Sequence, residues 1–209
     1  MPCAHAVSLR RIGLFGGTFD PPHWGHIRLA KAAADELRLD QLLFLPAYQP
    51  PHKKDEIHTP FELRRQMLEL CLPYDLRFSL CLIEAEQNLP GTTLETVQRL
   101  REKDHAKSCC RLFWLMGSDS LLELPTWHKP EELLSAVEMA VLPRPGFPIE
   151  KAESRFLKRV RILQTPLIDV AAHDIRARSR DLRESVPPPV ADFIIRQGLY
   201  NFTPETAYS

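Results

Sequence analysis

A surplus of charge is what this chain of 209 residues most plainly lacks: 27 Lys and Arg stand against 27 Asp and Glu. A general nucleic-acid binder carries a basic excess, so that class is set aside and only a local basic patch remains open. No apolar run approaches the ~20 residues that span a bilayer. Met1 to Arg10 holds no apolar stretch of signal-peptide length. A cytoplasmic protein that binds neither membrane nor nucleic acid is expected. The cysteines Cys3, Cys71, Cys81, Cys109 and Cys110 include no C-x-x-C pair. Buried reduced thiols are expected rather than a metal site. Glycine is scarce, at 8 residues, while proline is abundant at 19. Against so few glycines, the pair Gly16-Gly17 is informative.

What is present is an ordinary globular mixture, 44% apolar and 26% charged. The length suits a single domain over residues 1–209, with its core at about 11–200. Strand patterns fall at Arg11–Phe15, Gln41–Leu45, Leu76–Ile83, Arg111–Met116, Met139–Leu142 and Arg161–Leu163. Helical patterns lie between them, from Gly25 to Leu37, from Thr59-Pro60-Phe61-Glu62 (a capping box with proline at the first helical position) to Leu72, and from Thr92 or Thr93 to Lys103. Others start at Pro130 and span Ile149–Leu157 and Ala172–Glu184, and a last helix runs from Pro187-Pro188-Pro189 to a C′ glycine, Gly198. Ala47 to His58 is a proline-rich loop. This alternation predicts βαβ units, hence an α/β fold with a doubly wound, mostly parallel sheet and C-terminal helices.

In such a sheet, ligands bind beyond the carboxyl ends of the strands. Gly16-Gly17-Thr18-Phe19-Asp20-Pro21-Pro22-His23-Trp24-Gly25-His26 sits there, after the first strand. The glycines allow a sharp bend and close approach, and the next helix offers free N–H groups and partial positive charge to an anion. His23 and His26, three apart, can face one side and donate to phosphate oxygens. Gly25 leaves room between them for a polyphosphate. The segment is neither a Walker A loop nor a G-x-G-x-x-G fingerprint. Zinc would need a third ligand, and none stands close in sequence.

Gly16 to His26 resembles the G-G-T-F-D-P-x-H-x-G-H signature of the nucleotidyltransferase superfamily. More narrowly, the chain resembles the bacterial nicotinate-nucleotide adenylyltransferases. The likeness extends through Pro50-Pro51-His52-Lys53, Met116-Gly117-Ser118-Asp119, Pro125-Thr126-Trp127, Arg144-Pro145-Gly146, Asp174-Ile175-Arg176 and Gln197-Gly198-Leu199-Tyr200. The resemblance implies a Rossmann-like nucleotidyltransferase fold and transfer of AMP from ATP to nicotinate mononucleotide, releasing pyrophosphate in NAD biosynthesis. Magnesium is implied with ATP, held mainly by its phosphates, and the partners are small molecules.

By the same resemblance, His23, His26 and Arg176 are the catalytic residues. Gly16, Gly17, Thr18, Phe19, His26, Gly117, Asp119, Ile175 and Arg176 hold ATP. Thr93, Trp127, His52, Lys53 and Arg144 hold the mononucleotide, with Trp127 stacked on the pyridine ring. Asp119 could equally cap the following helix. Some positions depart from the pattern. Val170-Ala171-Ala172-His173 stands where relatives carry hydroxyl residues before the arginine, His128 follows Trp127 where tyrosine is common, and Ala47-Tyr48 replaces asparagines. Alternatives are another adenylyltransferase, with nicotinamide mononucleotide or phosphopantetheine as acceptor, or a non-catalytic nucleotide-binding module. An aminoacyl-tRNA synthetase fragment fails on length, neutral charge and the missing K-M-S-K-S loop.

Overall fold

A computed structural model describes residues 9–48, 59–87, 92–103 and 110–203. The strands are β1 (Arg10–Gly17), β2 (Gln41–Pro46), β3 (Phe78–Leu80), β4 (Cys110–Gly117), β5 (Glu138–Leu142) and β6 (Val160–Ile162). They form one sheet in the order β3-β2-β1-β4-β5-β6, and every pairing is parallel. Parallel neighbours require crossovers, which the helices supply. These are α1 (Trp24–Glu36), α2 (Phe61–Glu69), α3 (Thr93–Lys103), α4 (Ser118–Glu123), α5 (Pro130–Ala136), α6 (Ser154–Leu157), α7 (Ala172–Arg176), α8 (Leu182–Ser185) and α9 (Pro188–Arg196). The doubly wound parallel sheet expected from the alternation is what forms.

Alternate strand residues face opposite sides of the sheet, so there are two cores. Phe15, Leu42, Phe44, Phe113 and Leu115 pack with α1, α2 and α7–α9. Leu14, Leu112, Trp114, Met116 and Val141 pack with α3–α6. Burying each such side chain contributes ~1.5–3 kcal/mol. Ala30, Ala33 and Ala34 are wholly buried on α1, which brings that helix close to the sheet. Ala33→Leu would overpack this contact and cost ~1–3 kcal/mol.

Several expected elements differ. Thr59 does not cap α2: its hydroxyl donates to the Tyr200 hydroxyl at 3.1 Å, its N–H goes to Asp20, and Pro60 becomes the N-cap. Glu62 pairs with Arg65 instead of closing a capping box. The third strand is cut to Phe78–Leu80, because the Arg77 N–H donates to Asp75 Oδ1 at 3.0 Å and Leu76 is exposed. The Ile149–Leu157 helix divides where the extended Ala152 buries its methyl group. The Ala172–Glu184 helix also splits. Arg178 turns left-handed at φ 56°, and Asp181 opens α8 by accepting the Glu184 N–H at 2.9 Å. Gly198 does end the last helix in the left-handed region, at φ 61°. Of the described cysteines, Cys71 is buried and Cys81 and Cys110 are half-buried; Cys3 and Cys109 lie outside the described residues. Among the described residues, no helix is long and apolar enough to cross a membrane.

Candidate active site

Strand order reverses between β1 and β4, which opens a crevice at their carboxyl ends. Gly16 and Gly17 close β1 on one side of it, and Gly117 closes β4 on the other. The bend is not made by the two glycines. Both stay in the ladder, opposite Leu45 and Pro46. They supply space, because a Cβ on Gly16 would meet the Trp114 ring at 2.7 Å. The chain turns instead at Phe19, with φ 51°, and across the cis Asp20–Pro21 bond. Phe19 is buried, so only its backbone is available to a ligand.

His23 is the N-cap of α1 and His26 is its third residue. Their rings lie 3.7 Å apart, centroid to centroid, on one side of the helix start. The His23 N–H donates to His26 Nδ1 at 3.2 Å, and the Phe19 ring meets His26 edge-on at 4.9 Å. Burial, with the Arg144 charge second, pushes the His26 pKa down to about 3. Burial and then the His26 and Arg144 charges hold His23 well below its usual value. Both rings are therefore neutral at physiological pH. A neutral His26 that accepts at Nδ1 carries its proton on Nε2 and donates there.

The pair is not equally open. His23 is 5% exposed and its Nδ1 has no hydrogen-bond partner, whereas His26 is only half-buried. The expectation of two open donors therefore narrows to one, His26. Gly25 does not leave a polyphosphate gap either. A Cβ there would lie 2.8 Å from the His23 ring and 3.4 Å from the Val170 carbonyl, so ring and backbone fill that space.

Beneath the turn lies a network that the sequence reading missed. Asp20 is 1% exposed. Its Oδ2 accepts the Thr59 N–H at 3.1 Å, and its Oδ1 accepts the Tyr200 hydroxyl at 2.5 Å. Burial works to raise the Asp20 pKa, but these bonds and the Arg176 charge outweigh it and leave the carboxyl below its usual value. Burial and then the Asp20 charge raise the Tyr200 hydroxyl. Arg176, on α7, donates from Nη1 to the Asp20 carbonyl at 2.9 Å. Residues 156 positions apart thus meet at the opening turn. Ile175 is fully buried, so its side chain belongs to the core. Ala171 caps α7 without a side-chain bond, and His173 is exposed.

On the β4 side, Gly117 is the N-cap of α4, so Asp119 does not cap that helix. Its Oδ2 pairs with Arg144 Nη1 at 2.5 Å, and its buried Oδ1 has no partner. A Cβ on Gly117 would collide with that oxygen. The Ser118 hydroxyl accepts the Arg144 N–H at 3.0 Å. Arg144, expected beside the acceptor, therefore stands at the crevice, close enough for its charge to act on both imidazoles.

Thr93 begins α3, capped by Thr92, whose hydroxyl accepts the Glu95 N–H at 3.3 Å while Glu95 returns an oxygen to the Thr92 N–H at 2.8 Å. Trp127 is half-buried against the second core, in the turn between α4 and α5. Its neighbour His128 contributes to holding the Glu95 carboxyl low, behind the Thr92 hydrogen bonds, so this turn faces the start of α3. Glu84 accepts the Tyr48 N–H at 3.3 Å and the Thr96 hydroxyl at 3.2 Å, and burial raises its pKa. His52 and Lys53 lie outside the described residues. No group of three or more His, Cys, Asp or Glu among the described residues could hold a metal ion.

Asp20 lies in the Gly16–His26 motif and Tyr200 in Gln197-Gly198-Leu199-Tyr200, so their motifs are a usable sequence signal. Arg64 had none: Arg64-Arg65 reads as the polar face of a helix, yet Arg64 is 2% exposed and Arg65 lies in surface ion pairs.

Comparison with known proteins places the chain in a family. The Cytidylyltransferase-like family model matches residues 14–184. A probable nicotinate-nucleotide adenylyltransferase of Desulfotalea psychrophila is 37% identical, over 92% of this chain and 100% of that protein. The nicotinate-nucleotide adenylyltransferase of Bacillus subtilis is 33% identical, over 92% and 99%. Among solved structures, the fold matches Plasmodium falciparum nicotinic acid mononucleotide adenylyltransferase complexed with NaAD. The TM-score is 0.78 at 17% identity, covering 93% of this chain and 98% of that one. With relatives of this identity aligned over nearly their full length, the chain belongs to the nicotinate-nucleotide adenylyltransferase family of nucleotidyltransferases.

Proposed function

We propose that the crevice between β1 and β4 binds ATP and nicotinate mononucleotide and joins them as nicotinate adenine dinucleotide, with release of pyrophosphate. The observation that carries this reading is the convergence of the β1 turn, the α1 amino end, His26 and Arg176 on one side of the switch point, opposite Gly117 and Arg144. A phosphate oxygen of the mononucleotide attacks the α-phosphorus of ATP. The bond from that phosphorus to the bridging oxygen breaks, and its electron pair leaves with pyrophosphate. No protein nucleophile is required. The protein aligns two anions and stabilises the charge that spreads over the equatorial and leaving oxygens.

In this reading, His26 donates a neutral N–H from Nε2 to a phosphate oxygen. Positive charge comes from Arg176, whose planar guanidinium suits phosphate. His23, buried beside it, keeps the His26 ring in place. Gly16, Gly17, Thr18 and Phe19 meet ATP through their backbone, and Gly117 and Asp119 approach from β4. Thr93, Trp127 and Arg144 hold the mononucleotide, with His52 and Lys53 assigned there from the sequence alone. Magnesium, when bound with ATP, would neutralise part of the phosphate charge.

The test is pyrophosphate release with ATP and one acceptor at a time. Turnover with nicotinate mononucleotide is expected. Turnover only with nicotinamide mononucleotide or phosphopantetheine would reassign the acceptor, and ATP binding without turnover of any acceptor would make the chain a nucleotide-binding module.

A further inference from the structure

Arg64 is the largest of the wholly buried side chains, and a charged one. Its hydrogen-bonding partners are backbone carbonyls rather than a carboxylate. Nε donates to Thr59 at 2.9 Å, Nη1 to Thr18 at 2.7 Å, and Nη2 to Ala47 at 2.9 Å and Tyr48 at 3.5 Å. A buried charge without an opposite charge in contact is costly, and a leucine would fill the same space in a core more cheaply. What a guanidinium offers, and leucine or lysine does not, is a rigid planar fork that fixes carbonyls from different directions. The carbonyls it fixes come from three separate segments. Thr18 is in the turn after β1, Ala47 and Tyr48 follow β2, and Thr59 precedes α2.

We infer that Arg64 is a positioning residue of the adenylyl-transfer site, setting the ATP turn and the loop after β2 at the spacing that reaction needs. The inference rests on the proposed function and adds a residue to it. Hydrogen bonds run from Ala47 through Arg64 to Thr18 and Thr59, from Thr59 to Asp20, and from the Asp20 carbonyl to Arg176. Arg64 itself is buried behind the turn, so it acts through those carbonyls and not on the reacting atoms.

Arg64→Lys keeps the charge and most of the volume but cannot bridge three segments. The control is Val137→Ala, a buried core change at the amino end of β5, away from the crevice. Both are assayed per folded, titrated active site. Displacements of about 1 Å at a reacting pair cost up to 100-fold. The expected result for Arg64→Lys is therefore a fall in kcat/KM of about 10- to 100-fold, carried by higher KM for both substrates, with Val137→Ala unchanged per active site. KM values equal to the parent's, with only a smaller folded fraction, would overturn the proposal. If Arg64→Lys does not fold, Arg64→Gln takes its place, and failure of both to fold would assign Arg64 to stability alone. If the parent itself turns over no acceptor, the proposed function fails separately, and ATP affinity by calorimetry decides Arg64: about 10-fold weaker binding in the variant supports the positioning role, and equal binding rejects it.

Discussion

The two sides of the crevice are built on different principles. The ATP side is tied to the rest of the molecule by buried polar bonds. Asp20, Thr59, Tyr200, Arg64 and Arg176 bind one another or the turn itself, and the partners come from opposite ends of the chain. The acceptor side rests on a capped helix start at Thr93, a half-buried Trp127 and a partly exposed Arg144. In the proposed reading, one side holds a fixed phosphate geometry, the same for every ATP, and the other leaves its side chains open to vary with the acceptor. Of the departures from the family pattern, His128 stands beside Trp127 on that second side, while residues 170–173 lead into α7 on the first.

The comparison breaks hardest at His26. His26→Ala removes the donor proposed to meet phosphate and should lower kcat by about 100- to 1,000-fold. The melting temperature should stay near the parent's, since the ring is half-buried and makes one hydrogen bond. Retained turnover in a folded His26→Ala protein would remove the ATP side from the chemistry.

Next in size is the polar tie. Tyr200→Phe takes the hydroxyl from Asp20 Oδ1 and from the Thr59 hydroxyl, leaving buried polar atoms short of partners. The cost should be about 1–3 kcal/mol, a fall of roughly 2–12 °C for a domain of this length. A calorimetric scan checks it, and an unchanged melting temperature would show that the tail does not hold the turn.

Acid should weaken the same side. Both histidines have folded-state pKa values below the ordinary 6.5, so the unfolded chain binds more protons at mildly acid pH. Stability from burying them neutral is present above pH 6.5 and is lost as pH falls from there toward about 3 for His26. Melting temperature should therefore decline from about pH 6, earlier than carboxylates alone would cause. The kcat profile should show no histidine inflection between pH 6 and 8. A step there would mean that an imidazole titrates in the working enzyme.

The smallest effect sharpens the other side. Trp127→Ala should raise KM for the mononucleotide about 3- to 10-fold, as loss of one stacking contact implies. KM for ATP should hold. An effect confined to ATP would put Trp127 on the wrong side of the crevice.

The sheet was legible in the sequence because each strand is a short apolar run next to an amphipathic helix, and only the parallel doubly wound order buries both faces. The site was legible where its motif is contiguous, from Gly16 to His26. Two kinds of feature stayed hidden. One is competition for a polar group: Thr59 reads as a helix cap, but Asp20 and Tyr200, distant in sequence, claim its donors. The other is a burial decision within a pair of like residues, Arg64 inward and Arg65 outward, that only the surrounding carbonyls settle. The glycine roles were misread for a related cause. Ring positions, Trp114 over Gly16 and His23 over Gly25, fix what those glycines make room for, and ring positions are tertiary facts.

The most direct measurement is a crystal structure with a non-hydrolysable ATP analogue. Phosphate oxygens should lie within about 3 Å of His26 Nε2 and of the Arg176 guanidinium, with the chain at Gly16–Phe19 against the nucleotide. A triphosphate bound elsewhere, or bound here with His26 and Arg176 both turned away from it, would contradict the account.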